Sequence, residues 1–128
     1  ERVRQACAID LPQAFDRMAF AQGLEAWMQA VFACNAYVDE QAPWALRKTD
    51  PQRMERVLAT LYGCIRDLSI AISPVIPEAS AKILDAMCIP EDARGFSVLE
   101  QDAMVDTVRV DNPKPVFPRL EMPGNEAA

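Results

Sequence analysis

Histidine is absent from the 128 residues. That absence removes imidazole-based triads and His-bearing metal sites together. Glycine is scarce, with four residues, and none belongs to a loop that could cradle phosphates at the start of a nucleotide-binding helix. No apolar run approaches the ~18 residues of a membrane span, so no membrane partner is expected. The opening residues ERVRQ are charged and no apolar signal region follows them, which points to a cytoplasmic location. The first residue is not methionine, and the chain is expected to be a piece of something longer. Cations are outnumbered, thirteen against nineteen acidic residues, for a net charge of -6. This argues against gripping nucleic acid by bulk charge. The C-x-x-C spacing is missing as well: Cys7, Cys34, Cys64 and Cys88 stand far apart, so neither a zinc ribbon nor a thioredoxin-like site is expected, and no metal ligand set is assigned. Two disulfides are formally possible. Four reduced thiols serving as small core residues fit the helical pattern around each cysteine better.

What is present is a chain 51% hydrophobic and 25% charged, enough to bury one core without disulfide or metal. Its ten prolines cluster at breaks between segments of helical period, with four in the last stretch. Leu11-Pro12 opens a segment that keeps this period to about Glu40, and stepping it at ~100° puts Phe20, Leu24, Trp27, Met28, Val31 and Val38 on one face. One long amphipathic helix is predicted there. Pro43 to Lys48 reads as a short helical piece. Asp50-Pro51 is an N-cap and first-turn pair, followed by an apolar stripe of Met54, Val57, Leu58, Leu61, Ile65, Leu68 and Ile72, with Arg56, Thr60 and Asp67 opposite. Ser73-Pro74 ends this helix and Pro77 opens another through Met87. Asp92 to Phe96 reads as a turn, and 97–106 as a further irregular helix. The proline-rich remainder is extended, with Val116, Phe117 and Leu120 as candidates to dock on the bundle, and 123–128 as a frayed end. The predicted fold is all-α: an antiparallel helical bundle of four to five helices with an extended proline-rich C-terminal tail. Its expected divisions are a lead-in over 1–11, the bundle over 12–106 and the tail over 107–128.

Few residues call for more than packing. Trp27, Met28 and Phe32 read as core. Glu91-Asp92 lies in a loop with no partner base, and no nucleophile has a base in a recognisable pattern, so no catalytic residue is assigned. The stretch from Asn35 to Trp44 is different. Asn35 falls at the centre of the apolar stripe, where an unpartnered amide costs ~1–3 kcal/mol. Asp39 lies one turn later, beside it. Trp44 follows a helix break, where an indole either protrudes or plugs the gap between helices. Arg47, Lys48, Arg53 and Arg56 against Asp50 and Glu55 give residues 47–56 a local charge of +2 on an acidic chain. An exposed indole beside guanidinium groups suits unstacked RNA bases, with the cations, Arg47 and Lys48 nearest, on phosphates. Asp39 would add selectivity by repelling a misplaced phosphate or accepting from a base amine.

The run NAYVDEQAPWALRK at 35–48, with ISPVIPEASAKIL at 72–84 and VFPRLE at 116–121, resembles the C-terminal anticodon-binding domain of bacterial methionyl-tRNA synthetases, class I aminoacyl-tRNA synthetases. The resemblance spans about residues 12–121. It implies a helical bundle that reads the CAU anticodon loop of tRNA(Met). It also implies stacking of the wobble cytosine on Trp44, with Pro43 shaping the turn, Asp39 rejecting non-cognate anticodons and Asn35 supporting the surface. No cofactor is expected in this segment. ATP and Mg would belong to a catalytic domain of the same synthetase, which forms methionyl-tRNA and is the second expected partner. A helix with further anticodon-binding Asn and Arg residues precedes the matched region in the family and is expected outside these residues. The dimerising C-terminal domain of some relatives is not matched, so a monomer is expected. The alternatives are the anticodon-binding domain of a cysteinyl, leucyl, isoleucyl or valyl enzyme, and a helical adaptor that docks on a protein through Trp44.

Overall fold

The computed structural model describes residues 1–101 and 108–123. Among these described residues six α-helices follow in order: α1 Arg2–Arg4, α2 Leu11–Asp16, α3 Phe20–Gln41, α4 Pro43–Thr49, α5 Pro51–Ile72 and α6 Pro77–Ala86. A π-helical stretch, Gln5–Asp10, joins α1 to α2, and 3-10 turns follow at Glu91–Ala93 and Phe96–Glu100. No strand occurs among the described residues, so the fold is the expected all-α bundle. None of the helices is long and apolar enough to cross a membrane.

The first departure from expectation is the long helix, which is two helices folded back on each other. From Arg2 to Asp16 the chain is one continuous rod, with right-handed helical backbone at each internal junction. Its π-helical widening, where the Leu11 N–H reaches the Ala6 carbonyl, sits just ahead of Pro12. The wider turn relieves the clash between a proline ring and the preceding turn. The rod therefore starts well before Leu11, and Val3, Ala6, Cys7, Leu11 and Ala14 are all buried. It ends in a Schellman motif: Met18 adopts φ 60°, its N–H bonds the Phe15 carbonyl at 3.0 Å, and the Ala19 N–H bonds the Ala14 carbonyl at 2.7 Å. The reversal lays α2 against the start of α3 at Gly23, where a Cβ would meet the Phe15 ring at 3.0 Å. The Phe15 and Phe20 rings meet edge to face at 5.1 Å.

This close approach decides which side of α3 is buried. Its fully buried residues are Gly23 and Ala30, with Trp27, Val31, Cys34 and Val38 half-buried, while Phe20, Met28 and Phe32 are exposed. The largest apolar residues marked the stripe in the sequence, but small ones let the backbones come together. The Trp27 indole N–H donates to the Leu68 carbonyl at 3.0 Å, tying α3 to α5. Helix α5 begins as predicted, with the Asp50 carboxylate accepting from the Arg53 N–H at 3.2 Å. Its first half buries only Val57 and Leu61, whereas Leu58 and Ile65 are exposed. Its last turns, from Asp67 to Ile72, are buried on all sides. Asp67 is thus interior, against expectation. The Arg66 guanidinium satisfies it at 2.7 Å and also donates to the Gln101 carbonyl at 3.0 Å.

The core gathers Val3, Cys7, Ala30, Leu68, Ile70, Leu84, Met87, Ile89 and Leu99 from the rod, α3, α5, α6 and the last 3-10 turn. The cysteines are free. Cys7 is buried, Cys34 and Cys64 are half-buried, and Cys88 is exposed, so it is not the core residue expected. Cys88 instead closes α6 in a second Schellman motif at φ 55°. The predicted turn at 92–96 is spread over the two 3-10 turns; of the irregular helix expected over 97–106, residues 102–106 lie outside the described residues. The tail meets the bundle through the Asp111 N–H on the Ala86 carbonyl, 2.9 Å, and a half-buried Val116. Phe117 lines a cleft with Ile76 and Ala79 at the start of α6 but stays 72% exposed, and Leu120, 95% exposed, does not dock.

The third left-handed residue sets up the site. Ala42 ends α3 at φ 41°, ψ 63°, and the chain leaves at once through Pro43, the first residue of α4. This conformation costs an alanine roughly 1–2 kcal/mol, so Ala42→Gly is expected to stabilise the protein by about 0.5–1 kcal/mol in urea unfolding. Trp27→Ala removes the bond to Leu68 and opens a cavity. A loss of about 3 kcal/mol is expected in the same measurement.

Candidate nucleic-acid interface

The turn at Ala42 gives its two followers opposite fates. Pro43 is buried at the head of α4, while Trp44 stands 65% exposed. Two bonds to the Ala42 carbonyl, from the Ala45 N–H at 2.9 Å and the Leu46 N–H at 3.4 Å, fix the first turn of α4. That helix packs on α5. Arg47 and Lys48 follow Trp44 at i+3 and i+4, so both cations share its face of α4, and both are exposed. A flat aromatic ring with two exposed cations on the same helix face results.

Asn35 and Asp39 are exposed on α3, one turn apart. Stepped at 100° per residue, they fall within about 60° of Met28 and Phe32, on the solvent side and not on the buried stripe where Asn35 was expected. Water satisfies the amide there, so it carries no burial penalty. The structure therefore assembles two groups, Asn35 with Asp39 on α3 and Trp44 with Arg47 and Lys48 on α4. No hydrogen bond or ion pair joins the two among the described residues.

The charges are arranged unevenly. Arg66, Arg94 and Arg109 are paired with Asp67, Asp85 and Asp111. Arg47, Lys48, Arg53 and Arg56 form no ion pair among the described residues. The density of positive charge noted in the sequence is therefore available to an anion. Beside it, between the end of α3 and the start of α5, lies a groove of about 350 Å³ lined by Tyr37, Gln41, Asp50, Arg53, Arg56 and Thr60. One Arg53 nitrogen donates to the Gln41 side-chain oxygen at 2.8 Å across it. Sequence reasoning missed Tyr37 and Gln41 as lining residues, because the helical period assigned them no role. The cations alone gave a signal.

Nucleophilic chemistry has no support here. Burial pushes the Cys7 thiol up to about 12, with Asp67 adding to the effect, and raises Cys34 to about 11, with Cys64 adding to it. Both stay protonated at neutral pH, and no group of three or more His, Cys, Asp or Glu among the described residues is placed to hold a metal.

The chain is similar to known proteins. Residues 5–121 match the family described as the anticodon binding domain of methionyl tRNA ligase. The chain is 41% identical over 112 residues to a methionine–tRNA ligase of Mesorhizobium japonicum, covering 83% of this chain and 22% of that protein. It is 39% identical over 103 residues to the ligase of Rhizobium meliloti, covering 80% and 20%. Among solved structures, it superposes on the apo form of Mycobacterium tuberculosis methionyl-tRNA synthetase with a TM-score of 0.76 at 30% identity, over 88% of this chain and 23% of that one. The chain thus spans about a fifth of the length of the curated relatives it matches. With nearly its whole length matched and its fold shared, the chain belongs to the family of anticodon-binding domains of methionyl-tRNA ligases.

Proposed function

We propose that this domain reads the CAU anticodon loop of tRNA(Met) for a methionine–tRNA ligase of which it is part. The observation that carries the reading is the Trp44 ring, 65% exposed although tryptophan is costly to leave in water. A ring held rigidly on a short helix offers a stacking face to an unpaired base, worth roughly 1–3 kcal/mol. Trp44 takes the wobble cytosine, and Pro43, buried as the first residue of α4, keeps the ring's direction fixed. Arg47 and Lys48 meet phosphates on either side. Asp39 discourages anticodons whose base edges or phosphates would place negative charge against it, and Asn35 extends that polar surface by hydrogen bonding. Selectivity then comes from a few aimed groups, which is how single-stranded loops are recognised and why a net charge of -6 is no obstacle.

Chemistry belongs to the remainder of the ligase, the catalytic domain, which would use ATP and Mg to activate methionine. This domain's part is to hold the far end of the tRNA so that its acceptor end is presented correctly. The ligase is proposed to act in the cytoplasm.

In the full-length protein, Trp44→Ala is expected to weaken tRNA(Met) binding by about 1–3 kcal/mol while leaving thermal unfolding nearly unchanged. Replacing the first anticodon base C by U should weaken binding by the wild-type protein and make little further difference to the variant. Equal binding of the CAU loop and a scrambled loop by the wild type would point to a protein-docking adaptor. Loss of discrimination at a different anticodon would assign another class I synthetase.

A further inference from the structure

We propose that the groove between the last turn of α3 and the first turns of α5 seats the RNA sugar–phosphate backbone next to the stacked base, with Arg56 as its phosphate contact. This rests on the anticodon-reading proposal and adds a second point of attachment to it. Three observations place it there. Arg56 is exposed, lines the groove, and has no ion-pair partner among the described residues, although the chain has six more acidic than basic residues. Arg53, across the same groove, is held by the neutral Gln41 side chain at 2.8 Å, so its position is fixed and its charge is not neutralised. Asp50, the one carboxylate lining the groove, is engaged as the N-cap of α5 through the Arg53 N–H at 3.2 Å, where the helix dipole offsets its charge. The groove therefore keeps a net positive charge.

Its location fits the strand that Trp44 would hold. Gln41, on the groove wall, is three residues from Trp44, so their Cα atoms lie within about 11 Å. A strand with one base on Trp44 reaches the groove within a few nucleotides. Tyr37 supplies a half-buried ring at the groove's edge for the ribose, and the Thr60 hydroxyl is already spent on the Arg56 carbonyl at 2.9 Å, which leaves the guanidinium as the donor. A phosphate seated here carries no base identity. The groove fixes register, and Trp44 and Asp39 select.

The test is the salt dependence of binding by the full-length protein, measured with the CAU anticodon stem-loop and with a scrambled loop. Arg56 makes no side-chain hydrogen bond or ion pair among the described residues, so Arg56→Gln is expected to leave the fold intact. Removing one phosphate contact should flatten the plot of log K against log salt by about 0.7 and weaken binding about four-fold at 0.15 M salt, equally for both loops. Arg56→Lys should keep the wild-type slope, and Trp44→Ala should weaken binding without changing the slope. An unchanged slope in Arg56→Gln, or a loss confined to the CAU loop, overturns the groove assignment even where Trp44→Ala still weakens binding. If Trp44→Ala has no effect either, the anticodon-reading proposal itself falls.

Discussion

The site depends on one backbone constraint, the left-handed conformation of Ala42 followed directly by Pro43. Proline disfavours helical backbone in the residue before it, so α3 stops at Gln41 and does not run on through Ala42. The chain must turn, and Pro43 is pre-set for the first position of a new helix. Because Pro43 is buried while its neighbour projects outward, the same step that ends one helix turns Trp44 to solvent. Without that step α3 would continue, and the indole would fall wherever the helical period put it.

The rest of the bundle makes this local turn rigid. Trp27 ties α3 to α5 through the Leu68 carbonyl, the interior stretch of α5 is braced by Arg66 on Asp67, and Arg53 clamps Gln41 to the first turn of α5. The two tryptophans therefore divide the work. Trp27 spends its polar atom and much of its surface inside the fold, whereas Trp44 spends neither. The ion pairs follow the same division: Arg66 and Arg94 are paired within the bundle, and the cations around α4 are left to solvent. An acidic protein can in this way keep a local group of unpaired cations open to solvent.

Much of this was legible in the residues. Prolines marked the starts of α4, α5 and α6, and Asp50 with Pro51 gave the α5 start correctly, because capping and the lack of a proline N–H are local effects. The helix ends were harder. Met18, Ala42 and Cys88 all take the left-handed conformation that normally signals itself with glycine. Met18 in particular hid the break between α2 and α3, since tertiary packing against Gly23 imposes it. The buried face of α3 was misjudged for a related reason: hydrophobicity pointed to Met28 and Phe32, but close helix packing selected Gly23 and Ala30. The same shift moved Asn35 from the predicted core to the surface. At the site, the indole and the cations were visible as residue types out of keeping with a packed interior. Tyr37 and Gln41 were not, because only the meeting of α3 with α5 makes them neighbours of Arg56.

The central claim is that the Trp44 ring stands free and receives a base. Tryptophan fluorescence of the full-length protein carrying Trp27→Phe and phenylalanine at any tryptophan outside this chain reads that ring alone. Emission characteristic of water exposure in the free protein, quenched by the CAU anticodon stem-loop and unaffected by a scrambled loop, is the predicted result. Blue-shifted emission in the free protein, or a signal indifferent to both loops, would contradict the account.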